Sequence, residues 1–332
     1  MDTLRPCDDP AGVSALLQKC PAHAPTPLVN SAPLAQRAGV ASVLVKDERN
    51  RMKLGSFKAL GAAHAIARRA AETDPQEWSG ALSGQTYVTA SAGNHGLSVA
   101  AGARIFGARA VIYLAETVPQ AFAKRLEEKG ADVVFEGATY EESMAAAEAA
   151  ASTNGWTLLS DSSWPGYLDL PYRVMEGYLQ LAAETAQQTD IVPTHILLQA
   201  GVGGLAAAIA AFARHIWGDA PQIIIVEPEA APALRDSIAA GRLVESQGPV
   251  SSMGRLDCKT PSLIALNGLA RDADLFVTIT EDEAASALPV LAQLGLETTP
   301  SGGAGLAALL AGLPIEKDAH VWAIVSEGPE DA

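Results

Sequence analysis

The chain has 332 residues, 48% of them apolar and only 5% aromatic, enough aliphatic material for one large or two ordinary domains. Its formal charge is −15 with no basic block or stripe, which argues against nucleic acid or an anionic membrane surface as a partner. Cys7, Cys20 and Cys258 lack CxxC spacing, no apolar run reaches membrane-spanning length, and Met1-Asp2-Thr3-Leu4-Arg5 begins no apolar leader, so the expectation is a cytoplasmic protein with free thiols.

The first 33 residues are rich in proline (Pro10, Pro21, Pro25, Pro27, Pro33), with one short helix predicted over 13–17. Thr26-Pro27-Leu28 reads as an extended segment. A strand over 42–46 precedes a helix over 57–71 and a polar loop over 74–85. A regular alternation follows. Strands are predicted over 87–90, 110–114, 132–135, 157–160, 195–199, 223–226, 276–279 and 321–325. Helices are predicted over 96–106, 119–129, 140–152, 170–185, 204–216, 231–240, 262–271, 282–293 and 304–313. Short β-branched strands alternating with helices of this length predict parallel α/β sheets wound on both faces, and the number of strands calls for two such units.

Four stretches carry chemistry. In Gly55-Ser56-Phe57-Lys58-Ala59-Leu60, Ser56 is a good N-cap, and Phe57, Leu60 and His64 share a helical face. Lys58 is therefore expected in a first turn. The dipole there and burial both disfavour an ammonium, making it a candidate neutral amine for Schiff-base chemistry; a solvated surface lysine is the alternative. In Ser91-Ala92-Gly93-Asn94-His95-Gly96, small residues admit close backbone approach and a helix start offers N–H groups to a carboxylate. Gln199-Ala200-Gly201-Val202-Gly203-Gly204-Leu205-Ala206 follows a strand and opens a helix, the geometry of a phosphate cradle. It also fits G-x-G-x-x-A, with Glu227 at the end of the next strand as a ribose-binding acid, so a nicotinamide-dependent oxidoreductase stays open. A cofactor-free α/β binding protein stays open too. Ser326, in Val325-Ser326-Glu327-Gly328, is either a hydroxyl donor into the same crevice or an ordinary strand exit.

In this order, the lysine helix, the Asn-His turn, the glycine-rich cradle and the terminal serine resemble the fold-type II pyridoxal-phosphate enzymes (tryptophan synthase β-like). That family includes serine and threonine dehydratases, threonine synthase and diaminopropionate ammonia-lyase. The ammonia-lyases are resembled most, through Lys46-Asp47-Glu48, Asp161-Ser162-Ser163-Trp164-Pro165-Gly166-Tyr167, Met175-Glu176-Gly177-Tyr178 and Val226-Glu227-Pro228. The resemblance implies two doubly wound α/β domains with the cofactor in the cleft between them. Residues 1–48 and 162–332 would form the larger, cofactor-binding domain, and 49–161 the smaller one with the Asn-His turn. It also implies a homodimer.

Carried over by motif, Lys58 would hold pyridoxal 5'-phosphate as a Schiff base and then take the α-proton. Asn94 would sit by the ring hydroxyl. Ser91, Ala92, Gly93 and His95 would face the substrate carboxylate. Gly201, Val202, Gly203, Gly204 and Leu205 would bind the phosphate, and Ser326 the pyridine nitrogen. His95 is read as a structural partner in its turn in preference to a general base. Asp161 is an acid/base candidate able to protonate a leaving amine, or simply an Asx-turn residue. Cys258 lines the pocket entrance or is a plain buried thiol. No metal is expected. The implied reaction is α,β-elimination of ammonia from a small amino acid such as 2,3-diaminopropionate. A serine/threonine or 3-hydroxyaspartate dehydratase is the alternative. Ala92 stands where the ammonia-lyase pattern carries an aspartate, which implies preference for the L-isomer.

Overall fold

Residues 4–20 and 22–329 are described by a computed structural model; Met1, Asp2 and Thr3 of the N-terminal reading, Pro21 of the proline-rich run and residues 330–332 lie outside the described residues. The chain runs α1 (Ala11–Leu17), β1 (Leu28–Asn30), α2 (Ala32–Ala38), β2 (Ser42–Asp47), α3 (Lys58–Ala71), β3 (Thr86–Ala90), α4 (Asn94–Ile105), β4 (Arg109–Leu114), α5 (Gln120–Glu128) and β5 (Ala131–Phe135). It continues through α6 (Tyr140–Asn154), β6 (Thr157–Leu158), α7 (Asp169–Gln188), β7 (His195–Gln199), α8 (Gly204–Trp217), β8 (Gln222–Pro228), α9 (Ala233–Ala240), α10 (Leu263–Asp272), β9 (Leu275–Ile279), α11 (Glu281–Gln293), α12 (Ala304–Leu310) and β10 (His320–Val325).

The alternation expected from 87 onward is present, and two elements were not anticipated. β1 pairs antiparallel with β2, Leu28 opposite Lys46. The seven-residue α2 has its own signals: Ser31 Oγ accepts from the N–H of Leu34 at 3.4 Å, Pro33 lies in the first turn, and Gly39 closes the helix in the left-handed region at φ 72°. Those three residues were the available clue; the density of prolines obscured it.

One sheet has the strand order β1-β2-β10-β7-β8-β9 and the other β5-β4-β3-β6. Every pairing except β1 with β2 is parallel. Helices cover both faces, which is why β2, β7 and β10 read as nearly unbroken apolar runs. The two sheets share one continuous core. Leu60 and Ile66 on α3, Val99 on α4, Val174 and Leu179 on α7, and Ile209 on α8 are all fully buried in it. α3 and α7 cross at a pair of glycines. A Cβ on Gly61 would lie 2.6 Å from the Tyr178 ring, and one on Gly177 would lie 2.4 Å from the Leu60 carbonyl. This close crossing seats the helix that begins with Lys58.

The segment leading into α3 is held by buried charge. Arg51 is fully buried; it donates to Glu48 through Nε at 2.8 Å and to Glu184 through Nη1 and Nη2 at 2.9 and 2.7 Å. Lys46, also fully buried, donates to Glu184 at 2.9 Å, the Thr26 carbonyl at 2.8 Å and Gln188 at 2.8 Å. Immediately after Arg51 the backbone turns through three left-handed residues: Met52 at φ 51°, Lys53 at 58° and Gly55 at 83°. Two of them carry side chains, so the turn is strained, and the surrounding ion pairs keep it in place.

This network generates a prediction. Burial pushes the Glu184 carboxyl up, but the Arg51 and Lys46 cations outweigh burial and hold it down at about 2, against 4.5 for a free glutamate. A depressed folded-state pKa stabilises the fold above the unfolded value, and that stabilisation is lost as pH falls from about 4.5 toward 2. Glu184→Gln leaves two buried cations short of a carboxylate. It is expected to lower stability at pH 7 by about 3–5 kcal/mol and to flatten the acid limb of the stability curve. Denaturant unfolding at several pH values measures both effects.

Candidate active site

Lys58 opens α3, as the sequence suggests, but the helix is not capped as expected. Phe57 occupies the N-cap position with no side-chain cap bond, and the buried Ser56 hydroxyl has no hydrogen-bond partner among the described residues. The backbone fixes the helix start instead. The Phe57 N–H donates to the Ser326 carbonyl at 3.1 Å, the Gly328 N–H donates to the Gly55 carbonyl at 2.9 Å, and Ser56 and Glu327 form an antiparallel bridge. A strand-like exchange with the end of β10 therefore sets Lys58 beside Ser326.

The expected depression of the Lys58 pKa is also corrected. Its ammonium bonds to the carboxylate of Asp161, with both side chains about one-fifth exposed at 22% and 19%. Burial alone favours the neutral amine, but the Asp161 charge and hydrogen bond outweigh it and raise the pKa. Burial alone also favours protonated Asp161; Lys58 and the nearby His95 hold it well below the usual carboxylate range. The proton of the pair thus sits on Lys58, and Asp161 is its acceptor. The pairing places Asp161 at the lysine.

The Asn-His turn links β3 to α4. Ser91 Oγ accepts from the N–H groups of Gly93 at 3.3 Å and Gly96 at 3.1 Å, closing the turn on itself. Gly96 has to be glycine: a Cβ would stand 2.7 Å from the Ser91 carbonyl. Ala92 is exposed at the outside of the turn. His95 is buried, and its Nε2 donates to the Leu159 carbonyl at 2.8 Å; burial lowers its pKa. It thereby ties the turn to the segment that carries Asp161. Asn94 donates through Nδ2 to the Glu327 carboxylate.

The cradle lies between β7 and α8. Gly201, Gly203, Gly204 and Leu205 are buried, with Val202 partly so. A Cβ on Gly201 would meet Cys258 Sγ and Leu256 Cα, both at 3.0 Å, and Gly203 has φ 94°. The N-cap of α8 is Gly203, with no side-chain cap bond, so the first-turn N–H groups are not claimed by a capping side chain. Tyr178 packs here too. It is buried, its ring meets Phe57 edge-on at 4.9 Å, it lies 3.8 Å from the Cβ position of Gly204, and its hydroxyl has no hydrogen-bond partner among the described residues. Burial pushes the phenol up to about 12. Cys258 borders the cradle, its thiol pushed up to about 12 by burial and by Asp161. Among the described residues no cluster suited to a metal ion is found.

Glu227 does not serve a ribose. It is fully buried, and its carboxylate accepts from the N–H groups of Leu234 at 2.7 Å and Arg235 at 2.8 Å, capping the next helix. Sequence reading passed over Glu327, Arg255 and Tyr178. Glu327 directly follows Ser326 and is an acidic residue in an apolar strand exit, the one signal that marks it. Arg255 carries no local signal, and Tyr178, although it ends the Met175-Glu176-Gly177-Tyr178 stretch, carries none for a place in the site; tertiary packing brings both to the cleft.

The donor set fits pyridoxal phosphate: an amine in a protected cleft, a glycine cradle closed to any side chain, an orphaned buried hydroxyl beside it and a strand-end serine. Comparison with known proteins agrees. A family model for pyridoxal-phosphate dependent enzymes matches residues 20–327. The chain is 31% identical over 95% of its length, and 88% of the relative's, to a diaminopropionate ammonia-lyase of Salmonella typhimurium. It is 29% identical to a mouse serine dehydratase-like protein, over 93% of this chain and 86% of that one. The crystal structure of the diaminopropionate ammonia-lyase from Escherichia coli in complex with D-serine superposes with a TM-score of 0.88 at 29% identity, covering 99% of this chain and 93% of that one. The chain belongs to the pyridoxal-phosphate dependent enzymes, with their fold-type II architecture.

Proposed function

We propose that this enzyme eliminates ammonia from a small β-substituted amino acid, L-2,3-diaminopropionate first, to yield pyruvate and ammonia. The observation that carries the reading is the Lys58–Asp161 pair, an ammonium and a carboxylate in direct contact at the place the cofactor lysine is expected. Pyridoxal phosphate supplies the electron sink for the carbanion at Cα. The residues of the chain do the remaining work. The Lys58 ammonium first gives up a proton through Asp161, its hydrogen-bond partner, and the neutral amine then takes the Cα proton. A β-amine departs only once protonated, and a proton held on one member of the pair is within reach of the other. The turn at Ser91, Ala92, Gly93 and His95 receives the substrate carboxylate, Asn94 stands at the ring oxygen, and the backbone of Gly201, Val202, Gly203, Gly204 and Leu205 holds the phosphate. Ser326 offers the pyridine nitrogen a neutral hydroxyl. It stabilises a carbanion less than an aspartate does, which favours prompt loss of a β-substituent over transamination.

The two sheets support a division into a larger unit, residues 1–48 and 162–332, and a smaller one, residues 49–161, with the site between. A cytoplasmic homodimer belongs to the same proposal, supported by likeness to the family and by the lack, among the described residues, of any helix long and apolar enough to cross a membrane. A serine/threonine or 3-hydroxyaspartate dehydratase is the second reading, favoured by Ala92 in a turn that lacks a carboxylate at that position.

Purified protein is expected to carry a yellow chromophore that borohydride bleaches, leaving a stable label on Lys58; Lys58→Ala should lose the label and cut turnover by about 10³-fold or more. A label elsewhere counts against the assignment. Asp161→Asn is expected to lower kcat by about 10²–10⁴-fold with cofactor still bound, and an unchanged kcat would remove Asp161 from the mechanism. A pyruvate-and-ammonia assay across both diaminopropionate isomers, serine, threonine and hydroxyaspartate identifies the substrate. The D-isomer is expected to lag far behind the L-isomer because Ala92 supplies no base, and equal turnover of the two refutes that role for Ala92.

A further inference from the structure

Glu327 has no part in the chemistry described so far, yet it is one of the most heavily engaged side chains at the cleft. It is 3% exposed and immediately follows Ser326. Its carboxylate accepts from Asn94 Nδ2 and from the Thr299 hydroxyl, and it pairs with Arg255 Nε at 2.9 Å. Its carbonyl accepts from the Thr298 hydroxyl at 2.6 Å, and a Cβ on Gly302 would lie 2.8 Å from its Cγ, so the side chain has little room to swing. Asn94 begins α4 on the four-stranded side. Thr299, Arg255 and Glu327 belong to the six-stranded side.

A carboxylate only accepts hydrogen bonds. Asn94 must therefore turn the NH₂ edge of its amide toward Glu327, whichever way an isolated amide would rotate. We propose that Glu327 is a positioning residue that fixes the rotation of the Asn94 amide, so that its second Nδ2–H, not its carbonyl, is presented to the oxygen of the cofactor ring. The proposal rests on the placement of Asn94 at that oxygen. An N–H there stabilises the oxyanion, whereas a carbonyl there would favour the hydroxyl. Arg255 and Thr299 hold the carboxylate in register, so the amide orientation is set from across the cleft and the two units contribute jointly to the electronic state of the ring.

Glu327→Gln keeps the shape but offers Asn94 either a donor or an acceptor, so the amide is free to flip. In the holoenzyme, the ratio of the visible to the near-ultraviolet absorbance band reports oxyanion against hydroxyl. Glu327→Gln is expected to shift that ratio toward the near-ultraviolet band by about tenfold, the scale of one lost charge-assisted hydrogen bond. Glu327→Asp, which restores a carboxylate, should recover part of the shift. Asn94→Ala should shift the ratio in the same direction, and adding Glu327→Gln to it should change nothing more. A native ratio in Glu327→Gln while Asn94→Ala shifts overturns the proposal and leaves the placement of Asn94 standing. A native ratio in both overturns the two together. Wild-type holoenzyme provides a check that does not depend on the variants folding. With ¹⁵N-asparagine labelling there are five side-chain amides, and Asn94, assigned by its absence from Asn94→Ala, should exchange far more slowly than exposed Asn154; equal rates overturn the proposal.

Discussion

The Arg51 guanidinium sits between the carboxylates of Glu48 and Glu184 with no access to water, and Lys46 completes the network on the same Glu184 oxygen that Arg51 Nη2 engages. Buried charges of this kind tolerate no loosening, because removing one partner strands the others at a cost of several kcal/mol. That rigidity is what the following residues require. Met52 and Lys53 occupy backbone conformations that an isolated chain would leave, and the chain reaches Gly55 aimed back at the end of β10. The bridge of Ser56 with Glu327 and the Phe57–Ser326 bond then set the first turn of α3, and with it Lys58. Partners from the N-terminal segment, β2 and α7 thus fix a side chain that none of them touches.

Pairs of unlike groups hold the cleft, and one of them, Asn94 with Glu327, links the four-stranded side to the six-stranded side. Lys58 with Asp161 and Asn94 with Glu327 join stretches distant in sequence, and each pair holds one member on an element that leads into the site from a strand end or a helix start. Strand-end positions in parallel sheets converge on one crevice, which is why the Asn-His turn, the glycine cradle and Ser326 share it. The Gly61–Gly177 crossing lets α3 and α7 approach closely enough for the Tyr178 ring to pack between Phe57 and the cradle.

The electrostatics divide the labour. The charge state of the Lys58–Asp161 pair is set by mutual contact in spite of burial. The glycine-rich turn offers backbone N–H groups, which are insensitive to pH, and the Ser326 hydroxyl carries no charge. The Ala92 side chain, at the exposed edge of the turn, brings neither charge nor a hydrogen-bonding group, so in the proposed mechanism acid–base work falls to Lys58 and Asp161. This arrangement connects the architecture to the proposed preference for one isomer.

The sequence by itself determined the alternation of strands and helices from β3 onward, the mostly parallel character of the sheets, the glycine-rich turn into α8, the Asn-His turn into α4 and the place of Lys58 at the start of α3. Each is encoded locally, in hydrophobic period, in small residues at turns or in residue order, so a linear reading recovers it. α2 and β1 were also locally signalled, by Ser31, Pro33 and Gly39, but were hidden among prolines. What only the tertiary structure decided is who faces whom. Asp161 meets Lys58 across 103 residues and reverses the expected direction of its pKa. Glu327 meets Asn94 across 233 residues. Glu227, which reads as a ribose-binding acid, is used up in capping α9, and Ser56, which reads as a cap, leaves that task to backbone pairing. The physical reason is the same in each case: a residue's period and propensity belong to its neighbours in the chain, whereas its charge state and hydrogen-bond partners belong to its neighbours in space.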